Sequence, residues 1–173
     1  MAVHYDLQRS SDLTPPDSVL EARRACILRA TASQAYVVEK TGRNDHPQIY
    51  EYFRVAGFPN AKSWDWHGRA WCGVFVYWAA KECGCVLPKG NYAMVLTWQN
   101  LKSFRLLPGE IPKPADVVTY KPYSHVEYVN IWPPDPRKLF FYADGGNTGG
   151  SVKTQIMVLR RKADVKTVIR IVR

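Results

Sequence analysis

The sequence of 173 residues lacks the features that mark membrane-spanning, exported and repeat proteins. No stretch approaches the ~18 consecutive apolar residues that a membrane helix requires. The first residues, MAVHYDLQRSSDLTPPDS, have neither a basic start nor an apolar core, so no signal peptide of the usual kind is expected. No internal repeat or low-complexity tract is present. We therefore expect a soluble globular protein.

Cysteine is scarce, and its spacing excludes the common zinc sites. The four cysteines are Cys26, Cys72, Cys83 and Cys85, with no CxxC pair and no spaced histidine pair. Cys83 and Cys85 are separated by one glycine, which is too close for an unstrained bridge between them. If Cys72 is a free thiol, three cysteines remain and cannot all pair within the chain. Core packing is expected for these three. Whether any of them forms a disulfide, and hence the redox compartment, stays open.

The chain contains enough apolar sequence for one domain. Hydrophobic residues make up 46% and aromatic residues 13%. A chain of this length buries roughly two-thirds of the surface that its unfolded form exposes. Residues 1–17 are polar and contain two adjacent prolines, which indicates a flexible N-terminal arm. Residues 18–173 are predicted to form a single domain.

The net charge is +9, from 24 lysines and arginines against 15 aspartates and glutamates. This charge favours polyanionic partners such as nucleic acid, anionic lipid or an acidic cell-wall polymer. Apart from a cluster at 160–162, the basic residues are scattered, which is more typical of a solvating surface than of a nucleic-acid footprint. We therefore predict neither nucleic acid nor membrane as a partner.

Helical spacing dominates the first half of the chain. A first helix is predicted over about 17–38, with an imperfect apolar stripe of Leu20, Ile27, Thr31 and Tyr36. In a second helix, Asp45 is a candidate N-cap, Pro47 suits the first turn and Gly57 provides a stop. Four apolar residues of this helix fall on one face: Ile49, Tyr52, Phe53 and Ala56.

The stretch RAWCGVFVYW places Cys72 where the chain enters an apolar helix, predicted over 72–83 and ended by Gly84. The N–H groups of a first helical turn have no intrahelical partners and the macrodipole is positive there, which favours the reactive thiolate. We therefore predict that Cys72 is a nucleophile. The preceding loop, residues 59–70, is rich in aromatic and polar residues, as loops that line sites often are.

After Pro108 the pattern changes to five short β-rich runs, separated by turn residues. The runs are DVVTY (116–120), HVEYVNIW (125–132), KLFFYAD (138–144), TQIMVLRR (154–161) and TVIRIV (167–172). The segment GGNTGG (145–150) is predicted to be a turn. Helices followed by strands predict an α+β fold with an antiparallel sheet.

A thiol nucleophile needs a base, and the base works best when a third polar group orients it. His125 opens a predicted strand, and alternation places it on the same face as Glu127. If the nucleophile helix packs on that face, His125 is the natural base. Asp144 ends the next predicted strand and is the first choice as orienting group, while Asn147 in the following turn is the competing choice. Capping of that turn is an equal alternative role for Asp144.

The segment WCGVFVYW, followed by DVVTYKPYSHVEYV and ADGGN, resembles the papain-like bacterial amidohydrolases and peptidases of the CHAP (cysteine, histidine-dependent) and NlpC types. The upstream NDHPQIYEYFRVAGF is similar to the segment before the cysteine in a CHAP-like subgroup of phage and bacterial proteins. This resemblance implies a papain-like fold, with the nucleophile helix packed on the C-terminal antiparallel sheet. It also implies hydrolysis of amide bonds in peptidoglycan. Family members often have glycine where this chain has Ala115 and Glu127.

The resemblance implies that Cys72 and His125 are catalytic, with Asp144 or Asn147 as the third residue. The residues assigned to the substrate groove are Trp64, Trp66, Trp71 and Glu127. Glu127 is also expected to lie close enough to His125 to alter its charge state. Core packing is the alternative role for the tryptophans. The mechanism requires no metal and no other cofactor.

The leading hypothesis is a peptidoglycan-cleaving cysteine amidase or endopeptidase, acting as a phage lytic enzyme or as an antibacterial toxin. A toxin is expected to have a cognate immunity protein as partner. Such a protein is made in the bacterial cytoplasm and acts in the periplasm or cell wall after delivery or lysis. The second hypothesis is a papain-like protease or deamidase that acts on a host protein. The third is a basic binding module without catalytic activity.

Overall fold

The structure is a computed structural model that describes residues 16–148, 150 and 152–173. The predicted arm, residues 1–17, lies outside the described residues except for Pro16 and Asp17, and Asp17 already belongs to a helix. The α-helices in the described ranges are α1 (Asp17–Ala32), α2 (Pro47–Val55), α3 (Cys72–Glu82) and α4 (Val95–Gln99). The strands are β1 (Val117–Tyr120), β2 (Val126–Ile131), β3 (Phe140–Thr148), β4 (Lys153–Arg161) and β5 (Val165–Ile169).

The strands form one antiparallel sheet in the order β4-β3-β2-β1-β5. All four helices precede the sheet in the chain, so the predicted α+β class with a C-terminal antiparallel sheet is confirmed. None of the helices within the described part of the chain is long and apolar enough to cross a membrane.

Helix α1 ends at Ala32, before the predicted end near residue 38. Residues 37–39 instead follow the edge strand β4, where the Val37 carbonyl accepts a hydrogen bond from the Thr154 N–H at 3.0 Å. β-branched valines favour this extended conformation because a helix restricts their χ1 rotamers. Pairing with the sheet therefore ends the helical pattern early.

Helix α2 begins at Pro47 and is followed by Gly57 with a φ of 92°, as predicted. Its N-cap is His46, whose Nδ1 accepts a hydrogen bond from the Gln48 N–H at 3.1 Å. Asp45, the predicted cap, instead accepts hydrogen bonds from two backbone N–H groups of the preceding turn. The buried face consists of Ile49, Tyr52 and Phe53.

Helix α3 lies at the centre of the fold, as its apolar sequence predicted. It contacts α1, α2, β2 and β3, and most of its residues are buried. Gly84, with a φ of 70°, follows the end of the helix. Contacts on so many sides hold Cys72, the first residue of α3, in a fixed position.

A disulfide joins Cys26 in α1 to Cys83 at the end of α3, with the two Cα atoms 5.8 Å apart. The structure therefore settles the question left open by the sequence: these two cysteines are paired and are more than core packing. The pairing depends on α1 lying beside α3, a contact between distant segments that the cysteine spacing does not reveal. Cys72 and Cys85 are buried free thiols, and burial raises the pKa of Cys85.

Strand β3 continues to Thr148, through residues that the sequence predicted as a turn. Two adjacent glycines are needed because both faces of the strand are crowded there. A Cβ on Gly145 would lie 2.6 Å from Glu127 Oε1, and a Cβ on Gly146 would lie 2.5 Å from Trp71 Cζ3. These glycines therefore make room for side chains on the two faces of the sheet.

The two faces of the sheet are buried by different groups. The helices cover the face that carries Val126 and Tyr128, and the Tyr128 hydroxyl donates to the Val76 carbonyl of α3 at 2.6 Å. A smaller apolar cluster on the opposite face consists of Val118, Tyr120, Val129, Phe141 and Ala143. Alternation along β2 puts Glu127 on this opposite face. α3 does not pack on the face of Glu127, so the condition under which strand alternation made His125 the natural base is not met.

Candidate active site

Cys72 is the first residue of α3 and is 4% exposed. The Trp71 indole N–H, directly before it, donates to Glu39 Oε1 at 2.8 Å. Gly73, directly after it, lies against the backbone of Tyr92, where a Cβ would come within 2.2 Å of the Tyr92 carbonyl oxygen. The residues on both sides therefore hold the thiol at the N-terminal end of the helix.

His125 lies directly before β2 and is 8% exposed. Its ring interacts with the Cys72 thiol, and its Nε2 is 3.1 Å from Glu127 Oε1. Burial lowers the pKa of this imidazole, but the interactions with Cys72 and Glu127 outweigh burial and raise the pKa to about 9. The structure thus brings the predicted nucleophile and the predicted base together. His125 stands just outside the strand, where alternation does not fix the direction of its side chain.

The hydrogen-bond partner of His125 is Glu127, which sequence reasoning assigned to the substrate groove. The Glu127 carboxylate is fully buried and accepts hydrogen bonds from Arg160 Nε and Nη2 at 2.8 and 2.6 Å and from the Tyr120 hydroxyl at 2.5 Å. Burial raises the pKa of this carboxyl, but Arg160 and His125 outweigh burial and lower the pKa to about 2. A fully buried, fully engaged carboxylate does not reach a substrate, so Glu127 does not belong to the groove.

Asp144, the first choice as orienting group, lies elsewhere. The β2–β3 register puts its side chain on the helix-facing side of the sheet. Its Oδ2 accepts hydrogen bonds from Thr31 Oγ1 at 3.2 Å and Asn130 Nδ2 at 2.8 Å, and its Oδ1 accepts one from the Met157 N–H at 2.9 Å. Burial raises the pKa of this carboxyl. The structure therefore does not bring Asp144 to His125.

Asn147, the competing choice, lies beside His125 in an open cavity of about 330 Å³. The cavity is lined by Tyr123, Ser124, His125, Asn147, Thr148, Gly150 and Arg160. Asn147 has a φ of 57°, and its Oδ1 is buried without a hydrogen-bond partner among the described residues. It forms a wall of the cavity, and the ring nitrogen Nε2 of His125 is bonded to Glu127 instead.

The three tryptophans predicted to wall the groove differ in position. Trp71 is fully buried and belongs to the core, so its assignment to the groove is wrong. Trp64 and Trp66 are each 37% exposed. Trp64 packs edge-on against Phe53 with ring centroids 5.6 Å apart, and Trp66 packs on His67 with centroids 3.6 Å apart. Neither residue lines the cavity beside His125.

Sequence reasoning missed Arg160 and Tyr120, the two residues that hold Glu127. Arg160 belongs to the basic cluster at 160–162, to which sequence reasoning assigned no role at the site. Alternation along β4 is the signal that separates it from its neighbours, because Arg160 is half-buried while Arg161 is exposed. Nothing in the sequence indicates which acid Arg160 pairs with.

Ala115 and Glu127, which stand where proteins of the CHAP and NlpC types often have glycine, both have a structural explanation. Ala115 precedes β1 with a φ of 65°, a left-handed conformation that favours glycine, and its N–H donates to the Val129 carbonyl at 2.8 Å. Glu127 fits because a glycine, Gly145, lies opposite it on β3. The carboxylate is therefore accommodated by the sheet itself.

The arrangement can activate a thiol. Cys72 offers a sulfur nucleophile, His125 an imidazole in contact with it that can accept its proton, and Glu127 a carboxylate 3.1 Å from Nε2 of the same ring. Over the described ranges, no group of three or more histidine, cysteine, aspartate or glutamate side chains is placed to hold a metal ion.

Comparison with known proteins identifies no relative: no family model, no curated protein and no solved structure matches the chain.

Proposed function

We propose that this protein is a papain-like cysteine hydrolase that cleaves amide bonds in the peptide part of peptidoglycan. The observation that supports the proposal is the Cys72 thiol at the start of a buried helix, interacting with the His125 imidazole, whose pKa is raised to about 9. The order of a nucleophile helix followed by a histidine on an antiparallel sheet agrees with the resemblance to the CHAP and NlpC types.

The chemistry follows from the two groups. At pH 7 an imidazole with a pKa of about 9 is protonated. In a cysteine–histidine pair the reactive species is the thiolate beside the imidazolium. The sulfur attacks the carbonyl carbon, the C–N bond breaks, and the imidazolium gives its proton to the leaving nitrogen. Water then hydrolyses the thioester with His125 as base, which releases the acid and restores the pair.

The oxyanion that forms during the attack needs hydrogen-bond donors. Cys72 is the first residue of α3, so its backbone N–H has no intrahelical acceptor and is available as a donor. One such donor is typically worth about 3 kcal/mol of the barrier. The same residue therefore supplies the nucleophile and one oxyanion donor.

Three further features support peptidoglycan as the substrate class. The net charge of +9 suits an anionic wall. Trp64 and Trp66, which shortly precede α3 in the sequence, have partly exposed rings that offer apolar surface. The Cys26–Cys83 disulfide is typical of proteins that work in an oxidising compartment such as the periplasm. A phage lytic enzyme, or a delivered toxin with a cognate immunity protein as partner, fits these features.

The test is digestion of purified peptidoglycan, followed by mass analysis of the released muropeptides. Wild type is expected to release fragments whose masses report hydrolysis of one type of amide bond, and Cys72→Ala is expected to release none. Cys85→Ala is the matched control, because it removes the other buried free thiol, and it is expected to retain activity. Equal products from wild type and Cys72→Ala would contradict the assignment.

The same Cys72–His125 geometry also supports a second candidate, a protease or deamidase that acts on a protein. In that case purified peptidoglycan stays intact, while a protein target changes mass in a manner that depends on Cys72.

A further inference from the structure

We propose that Glu127 is the positioning residue of the Cys72–His125 pair and that Arg160, from the distant strand β4, holds Glu127 in place. This inference rests on the proposed cysteine hydrolase function, because it assigns a role at the same site. It replaces Asp144 and Asn147 by an acid in β2, the strand that His125 directly precedes.

The contact between Glu127 and His125 decides which ring nitrogen faces the thiol. Glu127 Oε1 is 3.1 Å from Nε2, so Nε2 is the nitrogen that donates to the carboxylate. Nδ1 is then left for proton exchange with Cys72. Glu127 is only two residues after His125, so the acid and the imidazole meet where the chain enters β2.

Glu127 itself has little freedom to move. Arg160 binds it in a bidentate manner, with Nε on one oxygen and Nη2 on the other, and the Tyr120 hydroxyl donates to Oε2. Arg160 Nη2 also donates to Thr148 Oγ1 at 2.9 Å, which anchors the guanidinium to β3. The absent side chain of Gly145 leaves the space that the carboxylate fills. Three strands of the sheet thus fix the group that orients the imidazole.

The charges around the pair come from every neighbouring element. Cys72 faces His125 from α3, and Tyr120 faces Glu127 from β1. Tyr123, in the loop between β1 and β2, lies close to Arg160. Arg160 faces Glu127 from β4, Asp144 of β3 interacts with Glu127 as a like charge, and Asp164 acts on Tyr123. Arg160 keeps Glu127 ionised, and the ionised carboxylate favours the protonated form of His125. The imidazole therefore stays protonated through neutral pH.

The experiment is an NMR titration of the His125 ring in a Cys72→Ala background, where no thiol titrates with the imidazole. The His125 signal is assigned by its loss in His125→Gln. Glu127→Gln is expected to lower the pKa of His125 by about one to three pH units, because an opposite charge at this distance shifts a pKa by that amount. Asp144→Asn is the matched control and is expected to leave the pKa unchanged. An unchanged pKa in Glu127→Gln, or an equal decrease in Asp144→Asn, would overturn the inference.

Glu127→Gln leaves Arg160 without its acid, so this variant can fail to fold. The double variant Glu127→Gln/Arg160→Gln replaces the ion pair by two amides, and it is also expected to have a lower His125 pKa than the parent. An unchanged pKa in the folded double variant would overturn the inference as well. The titration requires no substrate. A lowered pKa together with no digestion of peptidoglycan by wild type would therefore refute the proposed function and leave the positioning role in place.

Discussion

Glu127 and Asp144 are buried acids on opposite faces of the same sheet, and their pKa values are shifted in opposite directions. Both are fully buried, and burial alone raises the pKa of each carboxyl. The pKa of Glu127 is nevertheless lowered to about 2, because Arg160 and His125 are cationic partners. Asp144 is bonded only by neutral groups, so burial prevails and its pKa is raised. The neighbours of a buried acid, rather than its burial, decide whether it carries charge.

The two acids also differ in the groups that they contact. Glu127 is ionised next to the thiol and imidazole, where a fixed charge can hold a protonated base. Asp144 joins α1 to the sheet through Thr31 and fills a bulge in β4 through the N–H of Met157, which has a φ of 58°. Asp144 therefore stabilises the packing of α1 on the sheet.

The largest expected effect comes from removing the cation on the Glu127 side. Arg160→Met leaves an ionised, buried carboxylate without its bidentate partner, and the free energy of unfolding at pH 7 should fall by about 3–5 kcal/mol. Urea denaturation followed by tryptophan fluorescence measures this. Arg161→Met, at the exposed neighbour, should change it by less than about 0.5 kcal/mol. A change in the free energy of unfolding for Arg160→Met as small as that expected for Arg161→Met would show that the pair with Glu127 contributes no stability.

Acid should distinguish the two carboxyls by sign. The pKa of Glu127 falls from 4.5 to about 2 on folding, so its contribution is present above pH 4.5 and is lost as the pH falls towards 2; this is on the order of 3 kcal/mol. The pKa of Asp144 is raised from 3.8, so its contribution is present at low pH and is lost as the pH rises. Urea midpoints between pH 6 and pH 3 measure both contributions.

In that titration, the variant Glu127→Gln/Arg160→Gln should lose less stability in acid than wild type. It lacks the Glu127 carboxyl, whose protonation in acid destabilises the folded state. Asp144→Asn should lose more stability in acid than wild type, because it lacks the Asp144 carboxyl, whose protonation in acid stabilises the folded state. The same acid dependence in all three proteins would contradict the assignment of opposite pKa directions.

The smallest expected effect comes from adding a single methyl group to either of two adjacent glycines of β3, which face opposite sides of the sheet. A Cβ on Gly145 meets Glu127, whereas a Cβ on Gly146 meets Trp71 and Phe75. Gly145→Ala and Gly146→Ala should each lower the free energy of unfolding by about 1–3 kcal/mol through overpacking, as measured in urea. Only Gly145→Ala should also change the pKa of His125 in an NMR titration. A change of similar size in Gly146→Ala would mean that the two faces are coupled.

The local sequence pattern was sufficient to predict the helices and strands that carry the candidate site. The apolar helix after Cys72, the proline and glycine boundaries of α2 and the five strands all lie close to their predicted positions. These features depend on side-chain period and turn residues within about ten residues of chain, which a sequence displays directly. The structure also brings His125 to the Cys72 thiol, although not through the packing of α3 on the face of Glu127 that the alternation argument assumed.

The third member of the site depended on information that local pattern does not contain. The face to which Asp144 points is set by the β2–β3 register, and a shift of one residue reverses it. The glycines at 145 and 146 looked like a turn because the side chains they accommodate come from distant segments. The charge on Glu127 depends on Arg160, which lies 33 residues later in the chain. Similarly, the Cys26–Cys83 bond depends on the packing of α1 against α3.

The central claim is that His125 activates Cys72, and the most direct measurement is the rate at which iodoacetamide modifies Cys72 at pH 7. Peptide mapping by mass spectrometry follows Cys72 and Cys85 separately, so Cys85 serves as an internal control within each protein. We expect His125→Gln to slow modification of Cys72 by about tenfold or more and to leave the rate at Cys85 unchanged. Equal rates at Cys72 in wild type and His125→Gln would contradict the claim.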